Sequence, residues 1–154
     1  MRYWLMKTEP STFGIDHLAR APKKTTGWDG VRNFQVRNML RDEMKRGDEA
    51  FLYHSSTDVP GIAGIVEIVK EGYPDPTAFE RGHHHYDPDS DPAEPRWFMV
   101  DVRLKRKFSR SVTLEELRTH AKKQLKDMVL LGRGNRLSIT PVSDAQWRFI
   151  LSLE

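Results

Sequence analysis

Apolar positions along the chain fall into segments whose pattern predicts β-strands. These segments are rich in β-branched and aromatic residues, which favour extended structure, and turn-forming residues separate them. Pro10 ends the first segment, because proline cannot donate a hydrogen bond to a sheet ladder. The predicted strands cover residues 2–7, 49–54, 62–70 and 97–108, the last as one long strand or two joined by a bend, with short strands at 128–131 and 137–139.

A different spacing, with apolar residues three and four positions apart, predicts the helices. Asn, Ser and Thr side chains that accept a hydrogen bond from the first helical turn mark where these helices begin. Thr113 with Glu116, and Ser143 with Gln146, have the spacing of a capping box. The predicted helices are a short one at 15–19, one capped by Asn33 with Val36, Met39, Leu40 and Met44 on its apolar face, one from Thr113 to near Leu125, and a final one with Trp147, Ile150 and Leu151 inward.

Two segments between these elements are predicted as loops. Residues 22–30 carry glycines on both sides of Trp28 and Asp29, and residues 72–95 hold five of the nine prolines. Strands with peripheral helices, without regular βαβ alternation, indicate an α+β fold around a mostly antiparallel sheet or small barrel. With 154 residues, we expect a single domain that spans 1–154.

The composition narrows the class of protein. The chain has no cysteine, which excludes zinc–thiolate sites, thiol catalysis and a disulfide framework. No apolar run approaches the length of a membrane span, and the run between Arg2 and Lys7 is too short for a secretory signal. We therefore expect a soluble monomer without cofactor or metal, which is cytoplasmic, or nuclear if its source is eukaryotic.

Charge is distributed unevenly along the chain. Residues 103–136 contain eleven Lys and Arg against three acidic residues, whereas residues 71–95 contain seven acidic residues against one arginine. A basic block of this size is compatible with phosphate binding, although a solvated charged face has the same composition.

Residues 28–38 combine a large aromatic side chain, amides and arginines, which are the groups that an unstacked base requires. Trp28 offers a flat apolar face for stacking, or else it packs as a hydrophobic plug under its loop. Asn33 offers both a donor and an acceptor to a base edge, or else it is only a helix N-cap.

Four further residues are candidates for the same base pocket. They are Tyr53, His54 and Ser55 at the end of a predicted strand, and Trp97 before another. Strand alternation sends Tyr53 and Ser55 to one side and His54 to the other, so all three share a pocket only if the strand bends. Trp97 has an equally good alternative place in the core.

Phosphate groups beside the base need cations, and the sequence offers several. The candidates are Lys7, Arg32, Arg37, Arg133 and Arg136. Glycines around Arg133 favour a turn whose backbone N–H groups bind an anion. The run His83-His84-His85 suggests a metal, but adjacent side chains diverge, so we interpret it as part of a solvated acidic loop.

Ordered sequence blocks along nearly the whole chain resemble the EVE domain, a branch of the PUA-like superfamily. The blocks are residues 3–10, 28–34, 47–48, 53–55, 64–66, 86–88, 97–102, 136–139 and 141–142. The resemblance implies a small PUA-like β-barrel with helices around it. It also implies binding of nucleic acid, DNA or RNA, that carries a modified base, notably 5-modified cytosine in DNA.

An enzyme remains an alternative to this non-catalytic reader. Lys7 and Glu9 project together from an extended segment, and a lysine whose pKa is lowered by burial can activate a hydroxyl or water. Some relatives in the ASCH branch are hydrolases, so the resemblance is compatible with a small hydrolase centred on Lys7. A strand-end ion pair or a simple phosphate contact is the plainer interpretation of these residues.

Overall fold

The computed structural model describes residues 1–154 and has one six-stranded sheet at its centre. The strands are β1 (Tyr3–Thr8), β2 (Thr25–Gly27), β3 (Glu49–His54), β4 (Gly61–Pro74), β5 (Phe98–Thr113) and β6 (Ile139–Val142). Their spatial order is β2-β5-β4-β3-β1-β6, and every neighbouring pair is antiparallel except β1 and β3. The mostly antiparallel α+β prediction is confirmed. The closed barrel is not, because β2 and β6 are edge strands that do not pair with each other.

Short helices lie around this sheet. They are α1 (Pro10–Phe13), α2 (Ile15–Arg20), α3 (Phe34–Asn38), which continues into a π-helical turn at Met39–Glu43, α4 (Leu114–Thr119) and α5 (Asp144–Leu151). Asn33 Oδ1 accepts a hydrogen bond from the Val36 N–H at 3.0 Å, and Ser143 makes the predicted capping box with Gln146. Thr113 also caps its helix, but the Glu116 side chain binds Arg110 instead of completing a capping box. None of these helices has the length and apolar character that crossing a membrane requires.

Several element boundaries differ from the sequence prediction. The segment predicted as a loop at 22–30 contains β2, and the strand predicted at 128–131 is a 3₁₀-helical turn at Val129–Leu131. The helix predicted to reach Leu125 ends at Thr119, after which the chain forms successive turns. Leu125 and Met128 are still buried against the sheet, so the apolar pattern arises from tertiary packing rather than from regular structure.

The strand β1 is buried on both faces. Trp4 and Met6 pack into one core, and Leu5 packs into the other, as the alternation of side chains along a strand requires. Asp48 fixes the start of this strand, because its buried carboxylate accepts hydrogen bonds from the Trp4 indole and from the backbone N–H of Arg2, each at 3.0 Å. The start of β1 is therefore anchored by a buried hydrogen-bonded carboxylate.

The carboxyl ends of β1 and β3 meet because these two strands are parallel. Lys7 lies opposite Tyr53, and Thr8 lies opposite His54. The Ser55 N–H continues this contact by donating to the Thr8 carbonyl at 2.9 Å. His54 points to the other side, where its Nε2 accepts a hydrogen bond from the Ile15 N–H at 3.1 Å.

The stability of the fold is expected to fall as the pH drops below about 6.5, in part because of His54. Burial lowers the pKa of His54 from its ordinary value, with smaller and opposing effects from Asp16 and Lys107. When the pH falls below the ordinary histidine pKa, His54 of the unfolded chain becomes protonated, whereas His54 of the folded protein remains neutral. Protonation therefore favours unfolding. Denaturant titrations from neutral to mildly acidic pH measure this slope.

The variant His54→Gln isolates the contribution of His54, since its amide oxygen accepts the Ile15 hydrogen bond without titrating. The pKa of His85 is also lowered by burial, and His85 is present in both proteins. A shallower pH slope in the variant supports the assignment. Identical slopes in the two proteins would contradict it.

Candidate nucleic-acid interface

Two clefts open where β1 and β3 end. The first, which we call the tryptophan cleft, has a volume of about 640 Å³ and is lined by residues 7–9, 12, 13, 26–30, 55, 83–85, 136 and 138. The second, which we call the arginine cleft, has a volume of about 620 Å³ and is lined by residues 7, 53, 55, 56, 60, 114, 118 and 130–135. Lys7 and Ser55 line both, so the two clefts are adjacent.

Trp28 enters the tryptophan cleft directly after the edge strand β2. Its backbone N–H donates to the Val100 carbonyl at 2.8 Å, which continues the sheet pairing. The side chain is only 9% exposed and belongs to one of the two cores. Trp28 thus packs under its loop and also presents a surface to the cleft, so the two interpretations of this residue are compatible. Stacking on a base remains a prediction.

The backbone after Trp28 makes a tight turn that favours glycine. Gly30 has a φ of +78°, in the left-handed region that is unfavourable for other residues. A Cβ atom at this position would also lie 2.3 Å from the ring of His85. Gly30 therefore lets the histidine run approach the tryptophan loop closely.

Asp75, which belongs to the long acidic segment, holds this turn in place. Its side chain is fully buried, and Oδ2 accepts hydrogen bonds from the Gly30 N–H at 2.8 Å and from the Arg32 guanidinium at 3.1 Å. Its other oxygen accepts from the N–H and the hydroxyl of Thr77. Burial by itself would raise the pKa of Asp75, but the hydrogen bonds from Thr77, Gly30 and Arg32 outweigh it, so the pKa lies below its usual value.

Sequence reasoning missed Asp75, since residues 71–95 were interpreted as a solvated acidic excursion. The available signal was Asp75-Pro76, because an aspartate before proline is a typical start of a helical turn. Asp75 is indeed the N-cap of the 3₁₀-helical turn Pro76–Phe79. What no local pattern showed was its pairing with Arg32, forty-three positions away.

The histidine run lies in a loop of the acidic segment and lines the tryptophan cleft. The ligand atoms of His83, His84 and His85 lie within 4.8 Å of one another. His83 Nδ1 is already occupied, because it accepts a hydrogen bond from the His85 N–H at 3.0 Å. Burial, and then the charge of His84, lower the pKa of His85. The run therefore contributes aromatic side chains to the same cleft as Trp28.

Lys7 and Ser55 form the boundary between the two clefts. Burial lowers the pKa of the Lys7 ammonium, which is in no ion pair, so the predicted pair with Glu9 does not form. Ser55 Oγ donates to the Thr8 carbonyl at 3.4 Å. Both groups are positioned by the paired ends of β1 and β3.

Tyr53, Arg133 and Arg136 are divided between the clefts. Tyr53 and Arg133 line the arginine cleft, whereas Arg136 lines the tryptophan cleft. Burial raises the pKa of the Tyr53 hydroxyl, an effect that the charge of Arg118 partly opposes. Sequence reasoning counted Arg118 only within the basic block, because nothing in α4 itself indicates that its side chain faces β3.

Three residues predicted for the base pocket lie outside both clefts. Asn33 is exposed and caps α3, and His54 faces α2. Trp97 is buried, with its indole N–H donating to Asp87 at 2.6 Å and its ring stacked on Phe34 at a centroid distance of 4.8 Å. These contacts attach the acidic segment to α3.

Two of the predicted phosphate ligands are occupied by other contacts. Besides Asp75, the Arg32 guanidinium donates to the His85 carbonyl at 2.6 Å. Arg37 donates to the Arg96 carbonyl at 2.7 Å and lies over the ring of Phe34. These contacts engage all three nitrogens of the Arg32 guanidinium, whereas Arg37 Nη2 donates to no protein group, and both residues lie outside the clefts.

Comparison with known proteins identifies close relatives of this chain. The EVE domain family profile matches residues 2–153. Human Thymocyte nuclear protein 1 is 48% identical over 167 positions, which cover 99% of this chain and 73% of the human protein. Human THYN1 protein, crystallised in complex with DNA containing 5-methylcytosine, superposes with a TM-score of 0.94 at 47% identity and covers 99% of this chain and 97% of that one. A structure from Pseudomonas putida has a TM-score of 0.92 at 44% identity, with 98% of both chains covered.

Proposed function

Because the chain belongs to the EVE domain family, we propose that it is a non-catalytic module that binds DNA carrying 5-modified cytosine. The observation that carries this proposal is the human structure with 5-methylcytosine-containing DNA, which shares 47% of its sequence and nearly all of its fold with this chain. The tryptophan cleft is the site that we assign to the modified base.

The shape of the tryptophan cleft supports this assignment. Trp28 supplies a face for stacking, and the histidine run supplies a second aromatic wall. Polar groups for the base edge come from Lys7, Ser55 and Thr26, which line the same cleft. Arg136 lies at the same cleft without an ion pair, where it can meet the phosphate that follows a flipped nucleotide.

The proposal predicts tighter binding to DNA that contains 5-methylcytosine than to the same DNA with cytosine. A reader discriminates by equilibrium affinity, so the two dissociation constants should differ while both oligonucleotides remain chemically unchanged. Fluorescence anisotropy with matched single- and double-stranded oligonucleotides measures the difference. Equal affinities for modified and plain DNA would refute recognition of the modification.

A second candidate function is that of a small hydrolase acting on modified nucleosides or RNA. The lowered pKa of Lys7 favours it. A lysine that is more easily deprotonated is a better base or nucleophile, and Lys7 lies at the junction of both clefts. Incubation with oligonucleotides and modified nucleosides, followed by mass spectrometry, separates the two functions. A product that accumulates catalytically and disappears with Lys7→Ala would favour the hydrolase over the reader.

A further inference from the structure

The arginine cleft carries positive charge that the protein itself does not neutralise. Lys7, Arg118 and Arg133 line it, and no carboxylate does. The structure has ten ion pairs, and none of them includes these three cations. A concave surface with three unpaired cations and no acid attracts anions.

The glycine-rich turn at the rim of this cleft adds backbone donors. Asn135 fixes the turn, since its amide donates to the Val129 carbonyl and accepts from the Leu137 N–H, each at 3.0 Å. The backbone N–H groups of Arg133 and Gly134 donate to no carbonyl or side chain. Gly134 has a φ of +74°, the left-handed conformation found in turns that direct consecutive N–H groups at an anion.

Part of the lining of the arginine cleft is apolar. Tyr53, Leu114, Leu130 and Leu131 contribute this surface, alongside the three cations. A small inorganic anion would leave this surface in water. A ligand with a flat apolar body and a phosphate, such as a nucleotide, would cover it and also meet the cations.

We propose that the arginine cleft is a second nucleotide subsite, which holds the nucleotide next to the one in the tryptophan cleft. Its phosphate binds Arg118, Arg133 and the N–H groups of the turn, and its base lies on Tyr53 and the leucines. Lys7 and Ser55, shared by the clefts, contact the linkage between the two nucleotides. This subsite rests on the function proposed above for the tryptophan cleft, and it makes the protein a reader of two consecutive nucleotides.

Amide chemical shifts of the full chain test the subsite directly. The probes are deoxycytidine 5′-monophosphate and deoxycytidine, which differ only by the phosphate. The monophosphate is expected to shift the signals of Gly132, Arg133 and Gly134, and the nucleoside is expected to shift them much less. If the monophosphate leaves these three signals unchanged, the subsite does not exist.

Substitution of Arg118 tests how much the second subsite contributes to binding affinity. Arg118→Gln removes a charge from the exposed face of α4, so the fold should be retained, and the affinity for a dinucleotide with 5-methylcytosine should fall about tenfold. Arg148→Gln is the matched control, because Arg148 is also exposed and unpaired but lines neither cleft. Equal losses in the two variants would overturn the proposal in favour of a general charge effect.

The two proposals fail in different ways. If the modified base is still preferred over the plain one but Gly132–Gly134 do not respond, the subsite is wrong and the reader function stands. If Gly132–Gly134 respond equally to modified and plain nucleotides and no preference exists in either cleft, the subsite stands and recognition of the modification is wrong.

Discussion

Replacement of Asp75 by alanine is expected to lower the free energy of unfolding by about 3–5 kcal/mol, because it breaks a buried charge pair by removing one partner. The Asp75 carboxylate is fully buried and the Arg32 side chain is only 24% exposed. Without Asp75, the guanidinium loses its counter-charge, and the Gly30 N–H loses its acceptor. Urea denaturation followed by tryptophan fluorescence measures the loss.

Two matched variants make this prediction specific. Asp75→Asn keeps an acceptor for the Gly30 N–H but removes the charge. Its free energy of unfolding should therefore lie between those of Asp75→Ala and the parent protein. Asp89→Ala removes an exposed acid from the same segment and should change stability by less than about 0.5 kcal/mol. A loss of less than about 1 kcal/mol in Asp75→Ala would mean that Arg32 does not depend on this partner.

Replacement of Trp28 by leucine is expected to weaken binding to 5-methylcytosine-containing DNA by about 1–3 kcal/mol, which is roughly 5- to 150-fold. The reason is the loss of the aromatic face on which the base stacks. Leucine is preferable to alanine here, because Trp28 is buried and its truncation to alanine would cost about 3–5 kcal/mol of stability. Affinity and melting temperature are measured on the same samples, and Trp28→Phe should retain most of the binding.

Trp97→Leu provides the control for Trp28→Leu. Both tryptophans are buried to a similar extent, but Trp97 lines neither cleft. Its substitution should lower the melting temperature, through the lost hydrogen bond to Asp87 and the lost stack on Phe34, while affinity changes less. The stacking assignment fails if a folded Trp28→Leu protein binds as tightly as its parent.

Parts of the candidate site that are formed by residues close together in the sequence were predictable. Trp28 between two glycines, and Tyr53 with Ser55 at the end of a strand, are local features of the sequence, and strand alternation correctly separated His54 from its neighbours. The caps at Asn33 and Ser143 were predictable for the same reason, since a cap involves residues only three positions apart.

Residues brought together across the fold were not predictable. Lys7 meets Ser55 only because β1 and β3 are parallel, and a parallel pairing is set by the order of strands in the sheet rather than by either strand. Asp75 and Arg32, which are far apart in the sequence, form an ion pair that anchors the acidic segment. Because of this pair and the hydrogen bond to the His85 carbonyl, the Arg32 guanidinium is not available to a phosphate.

The sequence by itself determined the four longer strands, the capped helix starts at Asn33, Thr113 and Ser143, the absence of thiol chemistry and the resemblance to the EVE domain, because each depends on residue type and short spacing. Only the tertiary structure decided that the sheet stays open, that the histidine run lines the same cleft as Trp28, and that Arg118 and Arg133 share a cleft without a carboxylate. These outcomes depend on long-range packing, whose energy is divided among many distant residues, so no local pattern contains them.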